Sequence, residues 1–273
     1  MNIDLLLILL IVGLLQGILE WLPVSSEAFL FLTLVLLGVS PDKALAIAVM
    51  YHLPTGLASI YYYKREYIGA IKEIMTFRIR NKTMFIIITT IFTAIVAVPL
   101  YFIFEKILIG FESIIGKIST IAFFLVGLAM LITGAVVKVS ERGHKELNSC
   151  TISDCVIIGS LQGFSILPGV SRSGVTIASL LYRGFDKEDS INGSFIMAGI
   201  VSVGVFLFLC IIGKVDWQIL CSIELFISML VTFVVSLIMM RTLITIARRM
   251  KYDMFLKFIG SLMIVLAICS FFI

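Results

Sequence analysis

Long apolar runs, separated by short polar intervals, recur along the whole chain. A helix rises 1.5 Å per residue, so most of these runs are long enough to cross the ~30 Å apolar core of a bilayer. They lie at about residues 4–22, 27–38, 43–63, 84–105, 118–138, 153–168, 173–183, 190–213, 218–240 and 254–273. The pattern predicts an all-α polytopic membrane protein, a helix bundle in lipid. A β-barrel would instead show alternating strands of about ten residues.

The composition leaves little room for a soluble domain. Of the 273 residues, 60% are apolar and 14% are charged, and the longest polar intervals are about 64–82 and 138–154. We therefore expect a single integral membrane domain over residues 1–273.

Two of the apolar runs are too short to cross a bilayer. Segments 27–38 and 173–183 have only about ten to twelve residues and would cover less than ~20 Å as helices. Each follows a stretch rich in Pro and Ser, so we expect each to be the return arm of a re-entrant helical hairpin. About six full transmembrane helices then remain.

Lysine and arginine are distributed unevenly between the two predicted sides. The side opposite the N-terminus carries sixteen of them and the N-terminal side carries four. This bias predicts a plasma-membrane protein whose basic loops are cytoplasmic, with both termini on the extracytoplasmic side. The basic loops are explained by topology and by anionic lipid headgroups, so we expect no nucleic-acid partner.

An internal repeat relates two polar stretches. An offset of 146 residues aligns GLLQGILEWLPVSSEA with GSLQGFSILPGVSRSG. Three predicted crossings separate the copies, so the second would enter from the opposite face. We therefore predict an inverted-topology repeat, with repeat one at about 1–140 and repeat two at about 150–273. Such folds place their site near the membrane midplane, where the broken helices meet.

The second stretch, PGVSRSG, is suited to binding an anion. Its outgoing helix would begin at Ser171, Arg172 and Ser173, with the backbone of Gly174 in the first turn, and Arg172 adds a planar fork of donors. Phosphate is the best match. Alternatively, Arg172 only pairs with Glu20 or with Glu27 to neutralise a buried bundle.

The first stretch, QGILEWLPVSSEAF, carries oxygen ligands and hydroxyls. Gln16 and Glu20 are one helical turn apart, which suits joint coordination of a metal ion or a water. Ser25 and Ser26 begin the outgoing helix, where a hydroxyl can attack phosphorus or donate to a phosphate oxygen. Alternatively, these serines only cap the helix and Glu27 supplies first-turn charge.

Together the two motifs resemble those of the undecaprenyl-diphosphate phosphatase family, also known as the bacitracin-resistance protein. The family's first motif reads approximately (E/Q)GxxE(F/W)LPVSSTGH and its second PGxSRSG. The order of the motifs, their spacing and the hydropathy profile also agree, so the similarity covers nearly the full chain.

This resemblance implies removal of the terminal phosphate from a polyprenyl (undecaprenyl-type) diphosphate, which regenerates the monophosphate lipid carrier. It also implies a divalent cation, Mg²⁺ or Ca²⁺, and a site that opens on the outer face. By position, the implied roles are metal or water binding for Gln16 and Glu20, nucleophile for Ser26 beside Ser25, and diphosphate clamp for Arg172 with Ser171 and Ser173.

The chain departs from the family at the end of the first motif. Glu27, Ala28 and Phe29 stand where the family has threonine, glycine and histidine, and phenylalanine cannot transfer a proton. Glu27 is our choice for the proton-transfer group, since a dry pocket can raise the pKa of a carboxyl into the range that proton transfer needs. The alternatives are His52 reaching the site, a metal-bound water, or loss of hydrolysis with lipid binding retained.

Two rival functions follow from the same features. Inverted repeats with broken helices are also the architecture of transporters, so a polyprenyl-phosphate flippase is one rival. A catalytically silent lipid-binding protein is the other. The sequence leaves the prenyl chain length and the oligomeric state open.

Overall fold

The structure is a computed structural model that describes residues 3–22, 24–109, 128, 131–132, 145–167, 170–247, 261 and 264. Within these ranges the chain is helical, and its extended pairing is limited to an isolated bridge between Lys145 and Phe185. The helices are α1 (Ile3–Leu19), α2 (Ser26–Leu36), α3 (Pro41–Met50), α4 (His52–Tyr62), α5 (Lys64–Met75), α6 (Asn81–Ile109), α7 (Ile152–Gly163), α8 (Arg172–Tyr182), α9 (Lys187–Ile211), α10 (Trp217–Leu220) and α11 (Ile223–Ala247).

Four stretches of the described chain are long and apolar enough to cross a membrane. They are Lys43–Tyr62, Asn81–Ile103, Lys187–Ile211 and Ile223–Thr245. These match four of the six predicted crossings and confirm a multi-pass membrane protein. The other two, predicted at 118–138 and 254–273, fall almost wholly outside the described residues.

The first of these crossings is made of two helices, because α3 ends at Met50 and α4 begins at His52. Tyr51 sits at the break, where its hydroxyl donates to the carbonyl of Leu9 at 2.8 Å and shares a hydrogen bond of 2.7 Å with Ser228. These bonds connect the break to α1 and α11, so the interruption is held by side-chain contacts.

The two arms that lead to the polar stretches pack in the same way. α1 lies against α11, where a Cβ added to Gly17 would come within 2.8 Å of Val235. α7 lies against α6, where a Cβ on Gly163 would come within 2.5 Å of Val96. Without a hydrophobic driving force between helices in lipid, such small residues allow the close approach that gives good packing.

Threonine hydroxyls add a second matching contact to these two helix pairs. Thr232 donates to the carbonyl of Gly13 at 3.0 Å, and Thr93 donates to the carbonyl of Gly159 at 3.1 Å. The two glycines are related by the same offset of 146 residues as the two motifs. These bonds fix the position of each arm along the axis of a long helix, and so they position the tips that follow the arms.

The second arm starts in a charged network. Thr151 is the N-cap of α7, and Asp154 completes a capping box with it. The buried carboxylate of Asp154 also pairs with Lys145 and, at 2.8 Å, with Arg183. Burial acts to raise the pKa of Asp154, but Lys145, Thr151 and Arg183 together hold it below its usual range.

Candidate active site between the two polar tips

Glu20 is the centre of the site. Its side chain is buried just beyond the end of α1, and the Oε2 atom accepts hydrogen bonds from Gln16 Nε2 at 2.8 Å and from Ser26 Oγ at 2.7 Å. The Oε1 atom lies 3.0 Å from Arg172 Nη2 and 3.6 Å from His52 Nδ1. Two predicted site residues of the first tip, Gln16 and Ser26, therefore meet at the Glu20 carboxylate.

Arg172 connects the two tips. Besides its ion pair with Glu20, it donates from Nη1 to the carbonyl of Ser194 at 3.3 Å. The guanidinium carbon lies 6.0 Å from the centre of the Trp21 ring, and that ring meets Phe195 edge to face at 5.0 Å. Arg172 therefore pairs with Glu20, and the pair lies at the junction of both tips.

The serines of the second tip have defined partners. Ser171 is the N-cap of α8 and accepts a hydrogen bond from the backbone N–H of Gly174 at 3.1 Å. Ser173 donates to the carbonyl of Leu22 at 2.5 Å, which ties the second tip to the first. Pro23 of the first stretch lies outside the described residues, as do Pro168 and Gly169 of the second.

The serines of the first tip differ from these. Ser25 is at the N-cap of α2 but makes no side-chain cap bond, and Ser26 donates to Glu20. Simple helix capping therefore does not account for them. Ser26 Oγ has its proton directed at a carboxylate, which is the arrangement that activates a hydroxyl nucleophile.

Gln16 and Glu20, the two residues predicted to bind a metal ion, face each other through the Gln16 nitrogen and a Glu20 oxygen. Gln16 presents its Nε2 to Glu20 and leaves its Oε1 buried without a hydrogen-bond partner. Across the described residues, no group of three or more His, Cys, Asp and Glu side chains is placed to hold a metal ion. The arrangement of Gln16 and Glu20 therefore does not fit a cation bridged between them.

A cavity of about 660 Å³ connects these groups. Its polar end is Glu20 with Ser26, His52 and Arg172 around its carboxylate, and Glu27 and Lys214 also line the cavity. The remaining lining is mostly apolar and includes Val49, Ala97, Val98, Tyr101, Val205 and Phe208. A charged end joined to an apolar chamber suits an amphipathic ligand with an anionic head.

The two candidates for proton transfer both line this cavity. Glu27 and His52 face it from α2 and α4, whereas Phe29, at the position of the family histidine, packs against the core cluster around Trp21. His52 Nδ1 lies 3.6 Å from Glu20 Oε1, although the two residues are far apart in the sequence. The signal for it was a lone histidine in the apolar run AVMYHLPTG.

Four residues around the site were not predicted from the sequence. Trp21 and Ser194 contact Arg172, and Phe195 packs on Trp21. Gln162 lines the cavity, and its Nε2 donates to the Thr93 hydroxyl at 2.9 Å. Trp21 lies inside the first motif and Gln162 lies in the aligned repeat just before the second, so both could have been found there. Nothing in the sequence around Ser194 relates it to Arg172.

A family model described as bacitracin resistance protein BacA matches residues 9–266 of the chain. The chain belongs to the BacA family. Both polar tips and all four described crossings fall inside the matched range.

Several BacA-type relatives carry the name undecaprenyl-diphosphatase. The protein from Methanopyrus kandleri is 32% identical over 260 residues, which is 94% of each chain. The protein from Saccharolobus solfataricus is 30% identical over 277 residues, covering 97% of this chain and 96% of the relative. A third, from Methanothrix thermoacetophila, is 35% identical over 75% of each chain.

Proposed function

We propose that this protein is a membrane phosphatase that hydrolyses a polyprenyl diphosphate of the undecaprenyl type to the monophosphate carrier and inorganic phosphate. Membership of the BacA family and full-length similarity to proteins named undecaprenyl-diphosphatase support this. The observation that carries it is the Glu20–Arg172 pair at the polar end of an apolar cavity.

The diphosphate would bind at the second tip. Arg172 supplies guanidinium donors, and the first turn of α8, at Ser173 and Gly174, supplies the positive end of a helix dipole. Ser25 and Ser171 border the same end of the cavity. The prenyl chain would occupy the apolar chamber, whose aliphatic and aromatic side chains suit its isoprene units.

The reacting groups would be those of the first tip. Ser26 Oγ would form a bond to the terminal phosphorus as the phosphoanhydride bond breaks, and Glu20 would accept the hydroxyl proton. The polyprenyl monophosphate leaves. Water would then attack phosphorus and break its bond to Ser26, whose oxygen would regain the proton from Glu20 as inorganic phosphate is released. Glu27 would transfer the proton that these two steps require at the leaving oxygen and at water.

A divalent cation, Mg²⁺ or Ca²⁺, stays a prediction from the family resemblance. Phosphoryl-transfer sites usually hold Mg²⁺ with one or two carboxylates together with substrate phosphates. Since Gln16 turns its nitrogen to Glu20, the oxygen ligands of such a cation would have to come largely from the diphosphate.

We also propose that the two halves form an inverted repeat with two re-entrant hairpins. The offset of 146 residues that relates the motifs also relates α2 to α8, residue for residue, and the matching glycine and threonine contacts of α1 and α7 support the same relation. In the proposed orientation both termini and the cavity opening are extracytoplasmic, as the distribution of lysine and arginine favours.

Phosphate release by the purified protein in detergent tests the proposal. Polyprenyl diphosphates of different chain length should release phosphate, and Arg172→Ala should reduce the rate by about 10²- to 10³-fold through loss of anion stabilisation. Arg241→Gln is the matched control, because Arg241 is an exposed basic residue of α11 away from the cavity. Lipid binding without phosphate release would instead favour the flippase or the silent lipid-binding protein.

A further inference from the structure

The polar interval after the first crossing contains an unusual helix, α5. One of its sides packs on the protein, with Tyr67 and Ala70 buried and the Tyr67 hydroxyl donating to the carbonyl of Ile196 in α9. A neighbouring side is apolar but exposed, since Ile68, Ile71 and Met75 follow one another at helical spacing. At Ile71 and Met75 the exposed fractions are 57% and 75%.

The remaining side of α5 is polar and basic. Arg65 and Lys72 are seven residues apart and so share this side, and Arg78 follows the helix. None of these three forms an ion pair with another described residue. Arg80 and Lys82, further along, are paired at 3.7 Å with Glu73 and Glu66. The segment therefore offers unpaired positive charge beside an exposed apolar stripe.

The turn after α5 holds an aromatic ring in a strained position. Phe77 has a φ of 52°, in the left-handed region, and its side chain is 93% exposed. It occupies the position that ends a helix in a Schellman motif, with Arg78 N–H donating to the carbonyl of Glu73 at 3.0 Å. At the corresponding position of α2, α8 and α9 the chain has a glycine, namely Gly38, Gly184 and Gly213.

The side chain of Glu73 also stabilises the turn. The Glu73 carboxylate accepts hydrogen bonds from the backbone N–H of Arg80 at 3.0 Å and from the Thr83 hydroxyl at 2.6 Å. These bonds fix the loop between α5 and α6, so Phe77 is presented outward by an ordered turn. Phe77 thus adds a large apolar side chain to the exposed apolar residues of α5, and apolar surface of this kind marks sites of interaction with a partner or a membrane.

We propose that α5 and its turn, residues 64–80, form an interfacial surface that binds anionic lipid headgroups. Ile68, Ile71, Met75 and Phe77 enter the acyl boundary, and Arg65, Lys72 and Arg78 contact the headgroups. A protein-facing side, an apolar side and a basic side on one helix match an amphipathic helix lying in the membrane interface.

The position of α5 in the chain selects lipid over a protein partner. The helix begins two residues after one crossing ends at Tyr62, and the next crossing begins at Asn81. Both its ends are therefore tied to the boundary of the same leaflet. Six basic residues against two acidic ones over 64–82 complement an anionic headgroup layer.

Hydrogen exchange of the full-length protein in lipid nanodiscs tests this surface. The backbone amides of residues 76–80 are compared in phosphatidylcholine alone and in an equal mixture of phosphatidylcholine and phosphatidylglycerol. We expect exchange to slow by at least about fivefold in the anionic discs, the factor that one headgroup-bound basic residue contributes. In the triple variant Arg65→Gln/Lys72→Gln/Arg78→Gln the two lipids should give equal rates, whereas Arg241→Gln should retain the difference.

Phe77→Gly separates the lipid contact from folding. Glycine relieves the left-handed backbone, so the thermal midpoint should stay constant or rise, while exchange at residues 76–80 should accelerate because the anchor is lost. Equal exchange in both lipids for the parent protein would overturn the proposal. So would protection that follows formation of a dimer, by mass, at constant lipid composition, since a second copy would then cover the surface.

Discussion

The two polar tips have the same scaffold and different chemistry. With an offset of 146 residues, Gln16 corresponds to Gln162, but Glu20 corresponds to Ile166. Gln16 donates to the Glu20 carboxylate, whereas Gln162 donates to a threonine hydroxyl of a neighbouring helix. The first tip thus has a carboxylate at this position, and the second tip does not.

The outgoing helices differ in a complementary way. Ser26 at the start of α2 corresponds to Arg172 at the start of α8, so the hydroxyl lies on one tip and the guanidinium on the other. With the roles proposed above, neither tip alone combines an anion binder with a nucleophile. In the proposed inverted repeat each copy would supply half of the chemistry, so the site would form only where the two tips meet.

Removing the carboxylate from the first tip should have the largest effect. Glu20→Gln should lower the rate of phosphate release by about 10²- to 10⁴-fold, because Ser26 loses its proton acceptor and Arg172 its partner. Ile166→Gln places the same side chain at the matching position of the second tip and should lower the rate by less than about tenfold. Equal losses in the two variants would contradict the unequal roles of the tips, provided both elute as folded protein.

The second test distinguishes the two proton-transfer candidates. Glu27→Gln should reduce turnover at least about a hundredfold, and His52→Ala should reduce it far less. Initial rates of phosphate release at saturating lipid measure both. If Glu27→Gln turns over as fast as the parent protein, the assignment to Glu27 is wrong, and a large loss in His52→Ala would move the role to His52.

The third test compares the first turns of the two arms. Asp154→Asn in α7 should lower the free energy of unfolding by about 3 kcal/mol, because Lys145 and Arg183 lose a buried partner. Asp4→Asn in α1 should change it by less than about 0.5 kcal/mol, since Asp4 is exposed. Thermal unfolding in detergent at neutral pH measures both.

The lowered pKa of Asp154 also predicts how this difference depends on pH. Because the carboxyl is more acidic in the folded protein than its usual value of about 3.9, its stabilisation is present above that value and is lost as the pH falls below it. The difference in the free energy of unfolding between Asp154→Asn and the parent protein should therefore become smaller in acid. A gap that stays constant down to the lowest pH at which the protein remains folded would show that the charge of Asp154 is not its source.

The smallest expected effect concerns the N-caps. Ser171→Ala should lower stability by about 1 kcal/mol, since Ser171 accepts a hydrogen bond from Gly174 N–H. Ser25→Ala should cost less than about 0.5 kcal/mol, because Ser25 makes no cap bond. Thermal midpoints of the two variants give the comparison. A larger loss in Ser25→Ala would mean that the first tip is also held by its cap.

Several features of the fold could be predicted from local patterns in the sequence. The short runs predicted at 27–38 and 173–183 are α2 and α8, each within one or two residues of the predicted bounds. Glycine, proline and serine mark helix ends through effects that act within a few residues. The interval 64–82 was expected to be a polar loop and contains α5 instead, because its basic residues conceal an amphipathic repeat.

Apolar length and residue chemistry are local properties, so the chain alone predicts the helical membrane class, the two tips and the types of group at each. Which of these groups meet depends on tertiary packing. It brought His52 to Glu20, turned the nitrogen of Gln16 to the same carboxylate and placed Ser194 against Arg172. These contacts join helices far apart in the chain, and their geometry depends on the packing of α1 on α11 and α7 on α6, which no local pattern specifies.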